Sequence, residues 1–96
     1  MSGQPASRIT DNCSGHGCFP SRPIVTGSSD FIISGLQAAR QTDSLATHCC
    51  DGSCHSGSIA SGSSTYYVNG LQQARITDPV DCGSTIAQGC NTFIVG

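Results

Sequence analysis

All three histidines of this chain, and six of its seven cysteines, lie in three short stretches of the sequence. Each stretch begins directly after an aspartate, at Asp11, Asp43 or Asp78. Imidazole nitrogens and thiolate sulfurs are ligands that zinc prefers in proteins. Metal binding is therefore the first chemistry that these residue types could support, and thiol chemistry is the second.

The candidate ligands hold nearly the same place in each stretch. In the first two stretches a histidine lies five residues after the aspartate, and in the third a cysteine lies four residues after it. If the three stretches surround a common axis, His16, His48 and Cys82 meet at one end of it. His55, at the end of the longest stretch, can supply a fourth ligand. The spacing therefore predicts a structural zinc site made of His16, His48, His55 and Cys82.

The residues alone leave a rival arrangement open. The segment 48–55 contains two histidines and three cysteines, and it could hold a metal by itself. Cys13 and Cys18 could join that site or pair as disulfides. The alternative function is accordingly a small zinc-binding or thiol-redox module, with a thiol switch in the second stretch.

Nothing in the sequence predicts catalysis. Four protein ligands leave no open coordination position for a reactive water. The serines do not form the Gly-x-Ser-x-Gly elbow of a hydrolase. Adjacent residues such as Cys54 and His55 rarely reach the geometry of a nucleophile and its base. We therefore expect a protein that is not an enzyme.

The elements that must position these side chains are repeated three times. The phrase Arg-x-Thr-Asp occurs at 8–11, 40–43 and 75–78, and each arginine could pair with its aspartate across a turn. A second phrase begins at Ile24, Ile59 and Ile86 and continues through a glycine to an apolar run. These phrases define one domain, 1–96, made of units 3–35, 36–70 and 71–96.

The apolar runs predict strands, because they are rich in aromatic and β-branched residues. The second phrase therefore predicts short hairpins over 24–33, 59–68 and 86–95. Their turns are expected at Gly27, Gly62 and Gly89, which would adopt positive φ. Three short units favour closure around a pseudo-threefold axis, because a stack would leave two open ends. The predicted fold is all-β: three short repeats closed around a pseudo-threefold axis, with zinc at one end of that axis.

The composition indicates a fold that needs a source of stability besides its apolar core. The chain has twelve glycines, no tryptophan and a formal net charge of −2. A core this thin calls for a metal, disulfides or a partner. Because the only cations are four arginines, nucleic-acid binding is not expected. Arg22 lies outside the repeats and is expected at the surface, whereas Cys90 is expected to be a small buried residue.

The N-terminal residues show neither a basic start nor an apolar run, so no secretory signal is expected. No apolar stretch approaches the length of a membrane helix. Synthesis in a reducing cytoplasm is therefore expected, where cysteines and histidines point to metal more than to disulfides.

The segments 4–8, 37–40 and 72–75 resemble the Pro-Ala-Ala-Arg repeats of the PAAR family. The resemblance covers the whole chain, and the order of features agrees unit by unit. None of the three copies is a literal Pro-Ala-Ala-Arg: Ser7 replaces an alanine, and the later copies lack the proline. The length is similar to that of stand-alone members at the spike tip of T4-like contractile phage tails.

The resemblance implies a structural role and a shape: a small β-rich cone of three pseudo-threefold repeats with zinc at its apex. PAAR proteins cap and sharpen the trimeric β-helical spike of phage tails and type VI secretion systems, one copy per trimer, and so aid membrane piercing. It implies a monomer made in the host cytoplasm and carried at the tail tip of the virion. It also implies a zinc ion held by three histidines and one cysteine, which are His16, His48, His55 and Cys82 here. The additional cysteines leave Cys50 and Cys54 as alternatives to His48.

Overall fold

A computed structural model describes residues 3–96, and within that range the protein is built from strands, turns and loops without a helix. The eight strands form four separate antiparallel pairs: β1 with β8, β2 with β3, β4 with β5, and β6 with β7. Their bounds are β1 Gln4–Ala6, β2 Ile32–Ile33, β3 Leu36–Gln37, β4 Ser44–Cys50, β5 Ser53–Ser58, β6 Tyr67–Val68, β7 Leu71–Gln72 and β8 Cys90–Val95. The predicted all-β fold class is confirmed. Since residues 3–96 contain no helix, they also contain none that could span a membrane.

The predicted hairpins at 24–33, 59–68 and 86–95 are wrong. The hairpin turns lie one strand later, at Ser34–Gly35 between β2 and β3 and at Asn69–Gly70 between β6 and β7. Both residues of each turn have positive φ, which is the signature of the two-residue turn that matches strand twist. The third apolar run, β8, pairs instead with β1 at the other end of the described chain.

The glycines assigned to those turns have a different task. Gly27, Gly62 and Gly89 are not among the positive-φ residues. A Cβ atom at Gly62 would lie 2.5 Å from the carbonyl oxygen of Gln73, and one at Gly27 would lie 2.7 Å from that of Ala38. These positions therefore need glycine because a neighbouring backbone passes too close for a side chain.

The small residues of the three repeated phrases meet in a closed ring. The Ser7 N–H donates to the Ala74 carbonyl, the Ala74 N–H to the Ala39 carbonyl, and the Ala39 N–H to the Ser7 carbonyl, at 2.9–3.0 Å. All three residues are fully buried. A closed ring is what the units require if they surround an axis. The pseudo-threefold cone as a whole stays a prediction.

The buried apolar residues form two clusters, and the neighbours Ala38 and Ala39 belong to different ones. The first cluster contains Cys13, Ile24, Ala39, Leu45, Ile59, Ala74, Val80 and Ile86, with Cys82 packed against it. The second contains Ala6, Ile33, Ala38, Val68, Cys90 and Val95, and carries Phe31, Tyr66 and Phe93. The first cluster thus supports one candidate ligand, Cys82, and the second supports a group of aromatic rings.

The Arg-x-Thr-Asp phrases form the predicted ion pairs. Arg8, Arg40 and Arg75 each bind the aspartate three residues later at 2.8–3.1 Å. Each aspartate also accepts the backbone N–H of its arginine. The intervening threonine has φ between 75° and 79° in all three copies. Since this conformation is unfavourable for a β-branched residue, the ion pair and the N–H bond hold the turn from which each ligand stretch departs.

Candidate metal centre

The structure brings the four predicted side chains together. His48 lies on β4 and His55 lies directly opposite it on β5, whereas His16 and Cys82 lie on the loops after Asp11 and Asp78. The potential ligand atoms of all four residues lie within 4.8 Å of one another. The turn at Asp51–Gly52 sets the histidine pair, because two residues lie between the turn and each histidine and the strands then place the histidines opposite each other.

The distances among the imidazole nitrogens suit a tetrahedral ion. Nε2 of His48 lies 2.8 Å from Nε2 of His55, and Nε2 of His16 lies 3.2 Å from the same atom. Zn–N bonds of about 2.0–2.1 Å would separate two nitrogens of a tetrahedron by roughly 3.3 Å. The four residues could therefore hold a metal ion with small adjustments of the rings.

Hydrogen bonding fixes the tautomer of the neutral His48 ring. Its Nδ1 lies 2.8 Å from the carbonyl oxygen of Pro20, which can only accept, so Nδ1 carries the proton and donates. In the neutral ring Nε2 then carries the lone pair that a metal needs. Such a hydrogen bond, donated by the ring nitrogen that does not bind the metal, is a regular feature of metal-bound histidines.

The surroundings of His55 favour its neutral form. Phe19 packs against His16, His48 and His55 with ring centroids 4.4–4.8 Å apart. Desolvation, followed by the charges of His48 and His16, lowers the pKa of His55. Because a metal binds the neutral imidazole, the lowered pKa extends the pH range in which His55 can act as a ligand.

Arg22 is a central part of the site and is not at the surface as predicted. Its side chain is only 3% exposed. One guanidinium nitrogen donates to Sγ of Cys82 at 2.7 Å, and the other donates to the carbonyl oxygens of Ala46 at 3.0 Å and His55 at 3.3 Å. Together these bonds tie the loop of Cys82 to β4 and β5.

One signal in the sequence could have identified Arg22. The other three arginines each have an aspartate three residues later, and Arg22 has a valine there. An arginine without a local partner in a chain with so few charges must find its acceptors elsewhere, and this one finds them at the candidate ligands.

The remaining cysteines are kept out of the cluster. The structure pairs Cys18 with Cys50 and Cys49 with Cys54 as disulfides. Cys50 and Cys54 therefore do not take the place of His48 in the arrangement of side chains. Cys18 and Cys50, with Asp51, form a second group of potential ligands when their sulfurs are not bonded to each other.

The two other cysteines are buried. Cys13 lies in the first apolar cluster, and Cys90 lies in the second, as predicted for a small buried residue. Hydrogen bonding to Ser34 and Thr92 lowers the pKa of Cys90 to about 7. It occupies the position that serines hold in the other two units, where Ser28 and Ser63 bond backbone N–H groups of their own turns.

Comparison with known proteins identifies the family. The family model described as PAAR motif matches residues 20–88, which is most of the chain. The chain therefore belongs to the PAAR motif family. This family is associated with the spike-tip proteins of contractile injection systems, and the match implies a component of a phage tail or of secretion machinery. No curated protein matches the chain.

Proposed function

We propose that this protein is the structural tip of a contractile injection machine, where it caps and sharpens a trimeric β-helical spike. Membership of the PAAR motif family carries this proposal. In a phage this would place the protein at the tip of the tail in the virion. The role is mechanical: a rigid point concentrates force on the target membrane when the tail contracts, and no catalytic step is involved.

The metal that we propose at the apex is zinc. Three imidazoles and one thiolate form a mixed nitrogen and sulfur set, which suits zinc in tetrahedral geometry. Four protein ligands would close the coordination sphere, as in sites that only stabilise a fold. The ion would supply folding free energy to a chain whose apolar clusters are small.

The surface that we propose for the spike lies beside the aromatic rings of the second cluster. Phe31, Tyr66 and Phe93 hold equivalent places in the three units, and their ring centroids lie 5.8–6.1 Å apart. The residue after each ring is apolar and about half exposed: Ile32 at 50%, Tyr67 at 55% and Ile94 at 54%. We call Ile32, Tyr67 and Ile94 the base triad.

Three equivalent apolar residues suit a partner with three identical chains. Each chain of a trimeric spike could then meet one member of the base triad. Exposed apolar residues that recur at equivalent positions are more informative than a single exposed side chain, which is common on any protein. One copy of this protein would therefore cap one spike trimer.

The test replaces the base triad with aspartate and measures binding to the trimeric spike protein of the same machine. Val25→Asp is the matched control, because Val25 is also apolar and 52% exposed but lies outside the triad. We expect Ile32→Asp, Tyr67→Asp and Ile94→Asp together to abolish binding while metal content is unchanged. Binding that survives the triple change and falls with Val25→Asp would show that the spike surface lies elsewhere.

A further inference from the structure

Four cysteines accompany three of the four candidate ligands. Cys18 lies two residues after His16, and Cys50 lies two residues after His48. Cys49 and Cys54 are the direct chain neighbours of His48 and His55, and they face each other across β4 and β5. The two disulfides therefore connect the same segments that carry the three imidazoles.

The two disulfides lie on different faces of the β4–β5 hairpin. Successive side chains of a strand point to opposite faces, so Cys50 shares the face of His48 and Cys49 does not. The bond from Cys50 to Cys18 ties this face to the loop of His16, over a Cα–Cα distance of 5.6 Å. The bond between Cys49 and Cys54 ties β4 to β5 from the other face.

We propose that these disulfides form after synthesis and lock the ligand set, so that oxidation converts a readily exchanging metal centre into one that releases its metal slowly. This inference rests on the proposed metal-stapled tip and adds a redox control to the same site. In the proposed role the tip would be made in a reducing compartment and would work outside it. An oxidation that fixes the metal would suit that change of surroundings.

The first physical reason is preorganisation. Closure of both bonds holds His16, His48 and His55 on segments that cannot separate without breaking a covalent link. Groups that orient metal ligands typically change metal affinity by about 10–100-fold. A covalent tie between the ligand segments is expected to slow metal release by at least about tenfold.

The second reason is the removal of competing ligands. In the reduced protein four additional thiols lie within two residues of the histidines, and thiolates bind zinc strongly. In the oxidised protein the described residues keep three free thiols, of which Cys13 is 1% exposed and Cys90 is 6% exposed. Cys82 is then the one free cysteine among the described residues that a metal can reach.

The chemistry requires an oxidant, for which a small-molecule disulfide is sufficient. One protein thiolate attacks this disulfide, forms a mixed disulfide and releases one small thiol. The partner cysteine then displaces the second small thiol and closes the protein disulfide. Each closure oxidises two protein thiols and reduces one small disulfide to two thiols, which carry away the two protons. Cys18, Cys49 and Cys54 are exposed, so the oxidant has access.

The experiment compares metal release from the same zinc-loaded protein in two redox states. One sample is treated with oxidised glutathione and the other with a phosphine reductant, and an excess of chromogenic chelator then reports zinc release. Peptide mass mapping after alkylation identifies the cysteine pairs. We expect release to be at least about tenfold faster after reduction. The variant that combines Cys18→Ser, Cys49→Ser, Cys50→Ser and Cys54→Ser should release zinc at one rate in both conditions.

Cys90→Ser is the control variant, because serine is the residue that the other two units have at this position. It should keep the full response to reductant. Equal release from oxidised and reduced wild-type protein would overturn the inference, and this comparison needs no variant to fold. Two zinc ions per chain with four unpaired thiols, in protein purified without reductant, would also overturn it. Zinc that binds in neither state would contradict the proposed tip itself.

Discussion

The substitution Arg22→Met tests how the site is held together. Methionine is similar in length to the arginine stem but has neither the charge nor the donors. It leaves the carbonyl oxygens of Ala46 and His55 without the guanidinium donor and removes the cation beside Cys82. An unpaired buried acceptor costs about 1–3 kcal/mol, so we expect the free energy of unfolding of the metal-free protein to fall by roughly 2–4 kcal/mol.

Metal affinity should fall as well. The guanidinium is a neighbour of the Cys82 thiolate, and loss of such a contact typically weakens metal binding by about 10–100-fold. This corresponds to about 1.4–2.7 kcal/mol. Competition with a chelator of known affinity measures the change in zinc binding, and urea unfolding with and without zinc measures the change in stability.

A matched control separates the local effect from general destabilisation. Arg40→Met breaks an Arg–Asp pair that lies outside the ligand cluster, so it should lower stability and leave zinc affinity within about twofold of wild type. Gly57→Ala keeps all charges but places a methyl group against the Arg22 guanidinium, so it should weaken zinc binding in the same direction as Arg22→Met. The reasoning is refuted if Arg22→Met binds zinc as tightly as Arg40→Met does.

Three further predictions follow from the packing, the cross-links and the ionisation of the site. Gly62→Ala should destabilise the protein by about 1–3 kcal/mol in urea unfolding, because the new Cβ would overlap the Gln73 backbone. The neighbouring Ser61→Ala should change stability little, and equal effects of the two substitutions would contradict the close approach of the Gln73 backbone to Gly62. Removing the Cys18–Cys50 disulfide, which spans 32 residues, should lower the free energy of unfolding by about 3–4 kcal/mol, and removing the Cys49–Cys54 disulfide, which spans 5, should lower it by about 2 kcal/mol. Unfolding without reductant measures both changes, and the reverse order would contradict the prediction. Because the pKa of His55 is lowered in the folded state, the unfolded state takes up this proton first as the pH falls. The metal-free protein should therefore lose stability as the pH falls below about 6.5. Stability that rises on acidification in this range would contradict the direction of the pKa shift.

Much of the site followed from sequence register. The ion pair of each Arg-x-Thr-Asp phrase fixes the start of a ligand stretch, so similar offsets of four or five residues from the aspartate placed His16, His48 and Cys82 near one point. His55 depended on a turn that the sequence also contains, since Asp51–Gly52 is a strong signal for a two-residue hairpin turn. That these side chains bind zinc stays a prediction.

The strand pairing was harder to predict. The glycines at 27, 62 and 89 were interpreted as turns because glycine is common at positive φ, but backbone contact from distant residues requires them. Contacts of this kind involve residues far apart in the chain, so no local pattern reveals them. The better local signals were Ser34–Gly35 and Asn69–Gly70, which directly follow the apolar runs.

The partners of Arg22 and of the cysteines could not be derived from local sequence. Arg22 binds residues 24, 33 and 60 positions away, and its burial depends on the folded arrangement of three loops. Four cysteines allow three disulfide connectivities, and spacing does not choose between them. Only the register of β4 against β5 shows that Cys49 faces Cys54.

Native mass spectrometry of this protein mixed with the trimeric spike protein of its own machine tests the central claim most directly. It reports the number of chains and the bound metal in one spectrum. The proposed role predicts a complex of one copy of this chain, three spike chains and one zinc ion. A complex without zinc, one with three copies of this chain on the trimer, or no complex at all would contradict a zinc-stapled tip that caps the spike.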